Sequence, residues 1–189
     1  MITYSSCARW LLRFLYFLKV ELLPNRVVNK IPLWSVRRFY YRSVLGMQLS
    51  DSSFIQLDVY VYATSGACTV GEDTIIGRGS ILDCRGGLCI GSHVSISPSV
   101  YLFTAGHDPR SLDFRGVLRP VMIEDYVCIG SGSQVMPGAR LARGTYVYPG
   151  SVVCKDTSQF DIVSGIPAVR IASRPSNLSY RVMFDHPFI

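Results

Sequence analysis

Charge is scarce in this chain. Only 17% of its 189 residues are Asp, Glu, Lys or Arg, against 49% hydrophobic. So apolar a composition suits a subunit with faces buried against its neighbours better than a lone monomer. The charge present is lopsided, +6 at neutral pH, which favours anionic partners such as a phosphorylated cofactor or an acidic membrane surface. No basic run interleaved with aromatics resembles a nucleic-acid module, so nucleic acid is not an expected partner. Histidine is limited to His93, His107 and His186, and no metal is expected. The six cysteines include no C-x-x-C pair. That argues against a zinc ribbon and for free thiols in a reducing cytosol. A long apolar run is missing too. Trp10 to Leu23 reads as a helix stopped by Pro24, but it carries Arg13, Lys19 and Glu21. It is too short and too charged to span a bilayer, and no small-residue cleavage site follows it.

What is present is a six-residue period. An aliphatic residue falls on each beat: Val70, Ile76, Leu82, then after a slip Ile90, Ile96, Leu102, and later Ile123, Ile129, Val135, Leu141, Val147 and Val153. Four places after most beats stands a small or β-branched residue, among them Thr74, Ser80, Val94, Val127, Ser133 and Thr145. A helix would need apolar residues three and four apart. In a strand, residues i, i+2 and i+4 share a side, so the beat and the residue four later both point inward before a turn. Gly71, Gly77, Gly130, Gly138, Gly144, Pro149 and Gly150 fall near those turns. Coils of this kind stack and bury one continuous core, and the chain has enough of them for about five.

Residues 1–50 lack the period. They contain the Trp10 segment and a second basic, aromatic helix candidate from Ile31 to Leu45. One reading has these helices cap the open end of the stack or pack on a neighbouring subunit; the other, compatible with it, has them touch an anionic membrane surface through aromatics and arginines. Residues 51–169 form the repeat domain, with irregular first coils over 51–69. Residues 103–122 break the beat as a protruding loop without structure of its own, the kind of insertion that carries function. Residues 170–189 form a tail that covers an end or an edge.

The most specific stretches are Ile90-Gly91-Ser92-His93-Val94-Ser95-Ile96-Ser97-Pro98, Thr104-Ala105-Gly106-His107-Asp108-Pro109 and Gly165-Ile166-Pro167-Ala168. With the repeat, they resemble the hexapeptide-repeat acyltransferases, in particular the branch that O-acetylates sugars and polysaccharides. The resemblance covers roughly residues 68–175. It implies a mainly β chain, a left-handed parallel β-helix with an N-terminal helical segment and a C-terminal cap, assembled as a homotrimer with acetyl-CoA as acyl donor.

The resemblance also assigns residues. His107 matches the family's loop histidine, and a neutral imidazole is suited to take a proton from a sugar hydroxyl. Its second nitrogen needs a carboxylate or a carbonyl to fix the tautomer, and Asp108 is the nearest candidate in sequence. Ser131, Gly132, Pro149, Gly150 and Cys154 would line the pantetheine arm of coenzyme A, and Lys155 would meet a phosphate. Asp83 stands where Gly is usual and, with Arg85, is a candidate to bind the acceptor; a turn-forming Asp beside a solvated Arg is the other reading. Two positions depart from the family: Cys128 replaces a common tryptophan, leaving the groove wall in doubt, and Cys154 replaces a threonine. The expected protein is thus an acetyl-CoA-dependent O-acetyltransferase acting on a sugar or lipid-linked sugar. It would be cytoplasmic, with a peripheral contact at the inner membrane. The alternatives are a nucleotide-sugar N-acetyltransferase and a non-catalytic β-helix scaffold.

Overall fold

The computed structural model describes residues 6–62 and 68–182. Five coils of three short strands follow one another, joined by tight turns. The first holds β1 (Gln48–Leu49), β2 (Phe54–Ile55) and β3 (Tyr60–Tyr62). The second holds β4 (Cys68–Val70), β5 (Ile75–Ile76) and β6 (Ile81–Asp83), and the third β7 (Leu88–Ile90), β8 (Ser95–Ile96) and β9 (Tyr101–Leu102). An inserted hairpin, β10 (Ala105–His107) and β11 (Gly116–Leu118), leads to the fourth: β12 (Val121–Ile123), β13 (Cys128–Ile129) and β14 (Gln134–Val135). The fifth holds β15 (Arg140–Leu141), β16 (Tyr146–Val147) and β17 (Val152–Val153), and β18 (Asp161–Gly165) with β19 (Ala168–Ser173) closes the chain of strands. Stacking gives three parallel faces: face A is β1-β4-β7-β12-β15, face B runs from β2 through β5, β8, β13 and β16 to β18 with β19 beside it, and face C is β3-β6-β9-β14-β17.

The beat residues form the core. Ile55, Ile76, Leu82, Leu102, Ile129 and Leu141 are fully buried, each contributing about 1.5–3 kcal/mol by leaving water. The residues four later are buried beside them, and several are hydroxylic for a reason. Thr74 Oγ1 donates to Gly91 O at 2.8 Å and accepts from Val94 N at 3.1 Å, tying one coil's turn to the next. Ser80 does the same with Ser97 O and Val100 N. Glycine follows a beat where the coils meet most closely: a Cβ on Gly77 would lie 2.5 Å from Pro98 N, and one on Gly130 2.5 Å from Pro149 N.

The first coil is regular from Gln48, and its exposed edge is covered by side chains. α1 (Ser6–Phe17) runs through a π-turn (Leu18–Leu22) into α2 (Leu23–Arg26), so Pro24 does not stop the helix. It is the second residue of α2, the helix that directly follows the π-turn. α3 (Trp34–Ser43) follows. Buried Asn25 acts as a substitute strand: its Oδ1 accepts from Val61 N at 2.8 Å and its Nδ2 donates to Val61 O at 3.0 Å. Asn29 donates to Val59 O, Arg37 Nη1 to Ile55 O at 3.0 Å, and Arg42 to Leu49 O. Each face of the first coil thus receives a polar cap where no further strand exists to pair with it. Asn25→Ala leaves both backbone groups of Val61 unpaired, at a cost of about 1–3 kcal/mol for each. Urea unfolding should show a lowered midpoint, and an unchanged midpoint would rule out this capping role.

α1 caps nothing. From Arg9 to Phe17 every residue is exposed. At the other end, β19 pairs antiparallel with β18, and the chain then folds back over face B. Arg174 Nη1 donates to Tyr126 O and Gly144 O, and the Tyr180 hydroxyl donates to Tyr126 O. The tail therefore lies across a face as well as an end, over Tyr126, Tyr146 and the neighbourhood of Cys128.

Candidate active site

The chain leaves the stack after β9, at the corner between faces C and A. The stretch that the period leaves as a bare loop has structure: β10 and β11 pair antiparallel, with His107 opposite Gly116. Asp108 N donates to Arg115 O, closing the tip. His107 comes last in β10 and is solvent-exposed. Its Nδ1 lies 2.8 Å from Phe114 O, and its ring stacks on that of Phe114 with centroids 4.4 Å apart and planes 2° from parallel. A carbonyl can only accept, so Nδ1 carries the hydrogen and Nε2 of the neutral ring is left with its lone pair.

Phe114 makes this possible by adopting φ of +47°. Bulky residues rarely enter this region, and doing so costs of order 1–3 kcal/mol, a conformation concentrated at functional sites. Nothing in the sequence marks Phe114, since the group that matters is a backbone oxygen. Asp108 does not hold the ring. Its Oδ1 accepts from Arg110 N at 3.0 Å and its Oδ2 lies 3.8 Å from Arg115 Nη2, so the carboxylate shapes the hairpin tip.

An open pocket of about 380 Å³ lies at His107, also lined by Phe103, Asp108, Val117, Arg119, Met136 and Pro137. Arg119 and the apolar wall from Phe103 and Met136 escape the sequence reading, because they follow from coil stacking and not from any motif. The other expected residues separate into two groups. Ser131 and Gly132 lie at the corner between faces B and C, stacked under Pro149 and Gly150 through a hydrogen bond from Gly150 N to Ser131 O. A Cβ on Gly132 or Gly150 would meet nothing within 4 Å, so this corner presents bare backbone. Cys154 and Lys155 follow β17, on the same side of face C as His107, and are exposed. Cys128 is partly covered on face B, and burial raises its thiol pKa against the opposing pull of Arg174 and Ser95.

Asp83 and Arg85 lie beneath the hairpin root. Asp83 is fully buried, and Arg85 grips it with Nε at 2.8 Å and Nη2 at 3.0 Å. Burial alone would raise the carboxyl pKa; hydrogen bonds from Arg85 and Thr104 outweigh it, and the net shift is downward. Among the described residues, no group of three or more His, Cys, Asp or Glu stands together as a metal site, and His186 lies outside those residues.

No family model matches the chain. The galactoside O-acetyltransferase of Lactococcus lactis is 34% identical over 101 residues, 51% of this chain and 47% of that protein. The chain spans less than half the length of the curated relatives it matches. A hexapeptide-repeat-containing acetyltransferase from Vibrio cholerae superposes with a TM-score of 0.71 at 26% identity, over 89% of this chain and 93% of that one. The relatives and structural neighbours of this chain are hexapeptide-repeat acetyltransferases. A maltose O-acetyltransferase from Clostridium difficile 630 gives a TM-score of 0.70 at 25% identity, over 85% and 86% of the two chains. Like these hexapeptide-repeat proteins, the chain is a left-handed parallel β-helix. The Vibrio protein is also known in complex with acetyl-coenzyme A.

Proposed function

We propose that this protein transfers an acetyl group from acetyl-coenzyme A to a sugar hydroxyl, in the assembly of a surface polysaccharide or glycolipid. The observation that carries this reading is the 2.8 Å approach of His107 Nδ1 to Phe114 O. Phe114 O takes the Nδ1 hydrogen, which leaves Nε2 as a proton acceptor on a pocket-lining side chain. A hydroxyl is a poor nucleophile until its proton can leave, and an imidazole near its working pH receives that proton well. Coenzyme A supplies the acetyl group as an activated thioester. The bare Ser131–Gly132 and Pro149–Gly150 corner fits its extended arm, and Lys155 offers a point charge to a phosphate.

In one chain that corner and the His107 pocket lie on opposite edges of face C. A homotrimer would set the corner of one copy against the pocket of the next, which supports the expected assembly. The N-terminal segment supports a place at the cytoplasmic membrane surface. No described helix is long and apolar enough to cross a membrane. α1 instead exposes Trp10, Leu11, Phe14 and Leu15, with Arg9 and Arg13 one turn apart beside them, as an interfacial helix does.

The test is incubation with acetyl-coenzyme A and a panel of sugars, nucleotide sugars and lipid-linked sugars, read by mass spectrometry. One added acetyl group on a hydroxyl is the expected result. A gain on an amine would install N-acetyl transfer in its place. No gain on any acceptor and no binding of coenzyme A would leave a scaffold.

A further inference from the structure

We infer that Asp83 and Arg85 are positioning residues that hold the His107 hairpin at its root, and that they do not bind the acceptor. This rests on reading His107 as the base. Asp83 follows the beat residue Leu82, so strand alternation turns its side chain out from face C. It is nevertheless 0% exposed, because the hairpin root lies over it. Its two carboxylate oxygens accept five hydrogen bonds. Oδ2 takes Thr104 N at 3.1 Å and Ala105 N at 3.0 Å, while Oδ1 takes Arg85 N at 3.1 Å. Arg85 Nε and Nη2 complete the set at 2.8 and 3.0 Å. A carboxylate offers about four lone-pair sites, so none remains for a sugar hydroxyl.

The backbone repeats the attachment. Thr104 Oγ1 donates to Asp83 O at 2.8 Å and accepts from Gly86 N at 2.8 Å. Arg119 N, on the returning side of the hairpin, donates to Thr104 O at 2.8 Å. The outgoing leg is thus fastened to the turn from Asp83 to Gly86, and the returning leg to the outgoing one at Thr104. Gly86 is required there, since a Cβ would lie 2.4 Å from Thr104 O. His107 sits two residues beyond Ala105 on the same strand, so a shift at the root is carried to the imidazole. Arg85 is the outer half of the device. It neutralises a buried charge that would otherwise be uncompensated, and its guanidinium lies 4.9 Å from the ring of Tyr62.

The experiment compares Asp83→Asn and Arg85→Ala with the unaltered full-length protein. It reads kcat, KM for acetyl-coenzyme A and for the acceptor found in the panel, and hydrogen exchange of the hairpin amides. For Asp83→Asn, kcat should fall by about a hundredfold, the cost of a small misplacement of a reacting group. Both KM values should stay within about twofold, since only transition-state geometry is lost. The amides from Thr104 to His107 should exchange faster, and Arg85→Ala should move every readout in the same direction. A retained kcat with a raised acceptor KM would return Asp83 to acceptor binding and overturn the inference, as would unchanged kinetics with unchanged exchange. If Asp83→Asn does not fold, Arg85→Ala decides alone, because its side chain is 46% exposed. If the unaltered protein transfers no acetyl group, the proposed function fails separately. The exchange data then still test the clamp, and unchanged hairpin exchange in the variants overturns it.

Discussion

His107→Ala should reduce kcat for acetyl transfer by about 10²–10⁴-fold, the contribution of a positioned general base, while coenzyme A binding persists. The two effects separate because the groups concerned stand apart. The bare backbone of Ser131, Gly132, Pro149 and Gly150 is at one corner of face C, and the imidazole is on a hairpin at the other. The substitution should also leave the fold intact: His107 is exposed, and the hairpin is fastened at its root through Thr104 and Arg119. Steady-state kinetics paired with calorimetric titration of coenzyme A would check this. A variant with full turnover would remove His107 from the chemistry; lost coenzyme A binding would mean that the hairpin also shapes the donor site.

Replacing Leu11 and Leu15 together by glutamate should abolish vesicle binding without altering the fold. Leu11 is 49% and Leu15 50% exposed, and they lie one turn apart on the same side of α1. If each inserts its exposed half, the pair contributes about 2 kcal/mol of apolar transfer, or about thirtyfold in partition. The new charges enlarge the loss, since both repel an anionic surface. Arg9 and Arg13 sit beside the apolar arc, and no acidic residue precedes Glu21. Binding should therefore require anionic lipid and weaken with salt. Flotation with phosphatidylglycerol-containing and neutral vesicles would measure it. Equal partition of the two proteins would end the membrane reading and leave α1 as a contact for another protein surface.

The stack was legible because its signal recurs. One aliphatic residue and one small residue per six positions read the same way in every coil, and the burial of Thr74, Ser80, Ser133 and Thr145 follows the spacing directly. Leu49, Ile55 and Val61 keep the same beat, but the longer step from Val61 to Val70 hides the first coil. The residues that make the caps were not legible. Asn25, Asn29 and Arg37 occur once each, in a segment whose composition suggests only a helix, and their work depends on backbone groups far along the chain. In the site, His107 announces itself through its loop, whereas its partner is a carbonyl of Phe114, and a backbone oxygen has no residue-type signature. Asp83 shows the converse: its identity is conspicuous in the sequence, but its five partners exist only once the hairpin has folded over it.

The capped ends of the coil stack have a consequence for assembly. A parallel β-helix is in principle a polymer whose repeating unit is one coil, and an uncapped terminus would template growth by a second molecule. Asn25, Arg37 and Arg42 occupy the initiating end. At the other end, Asp156 accepts from Arg140 N, Thr157 accepts from Ala142 N, and the reversed strand β19 occupies face B. Strand pairing is therefore blocked on all three faces at the initiating end and on faces A and B at the other. The proposed trimer would then be built from contacts at the sides of the stack, where a rotation that closes gives a ring.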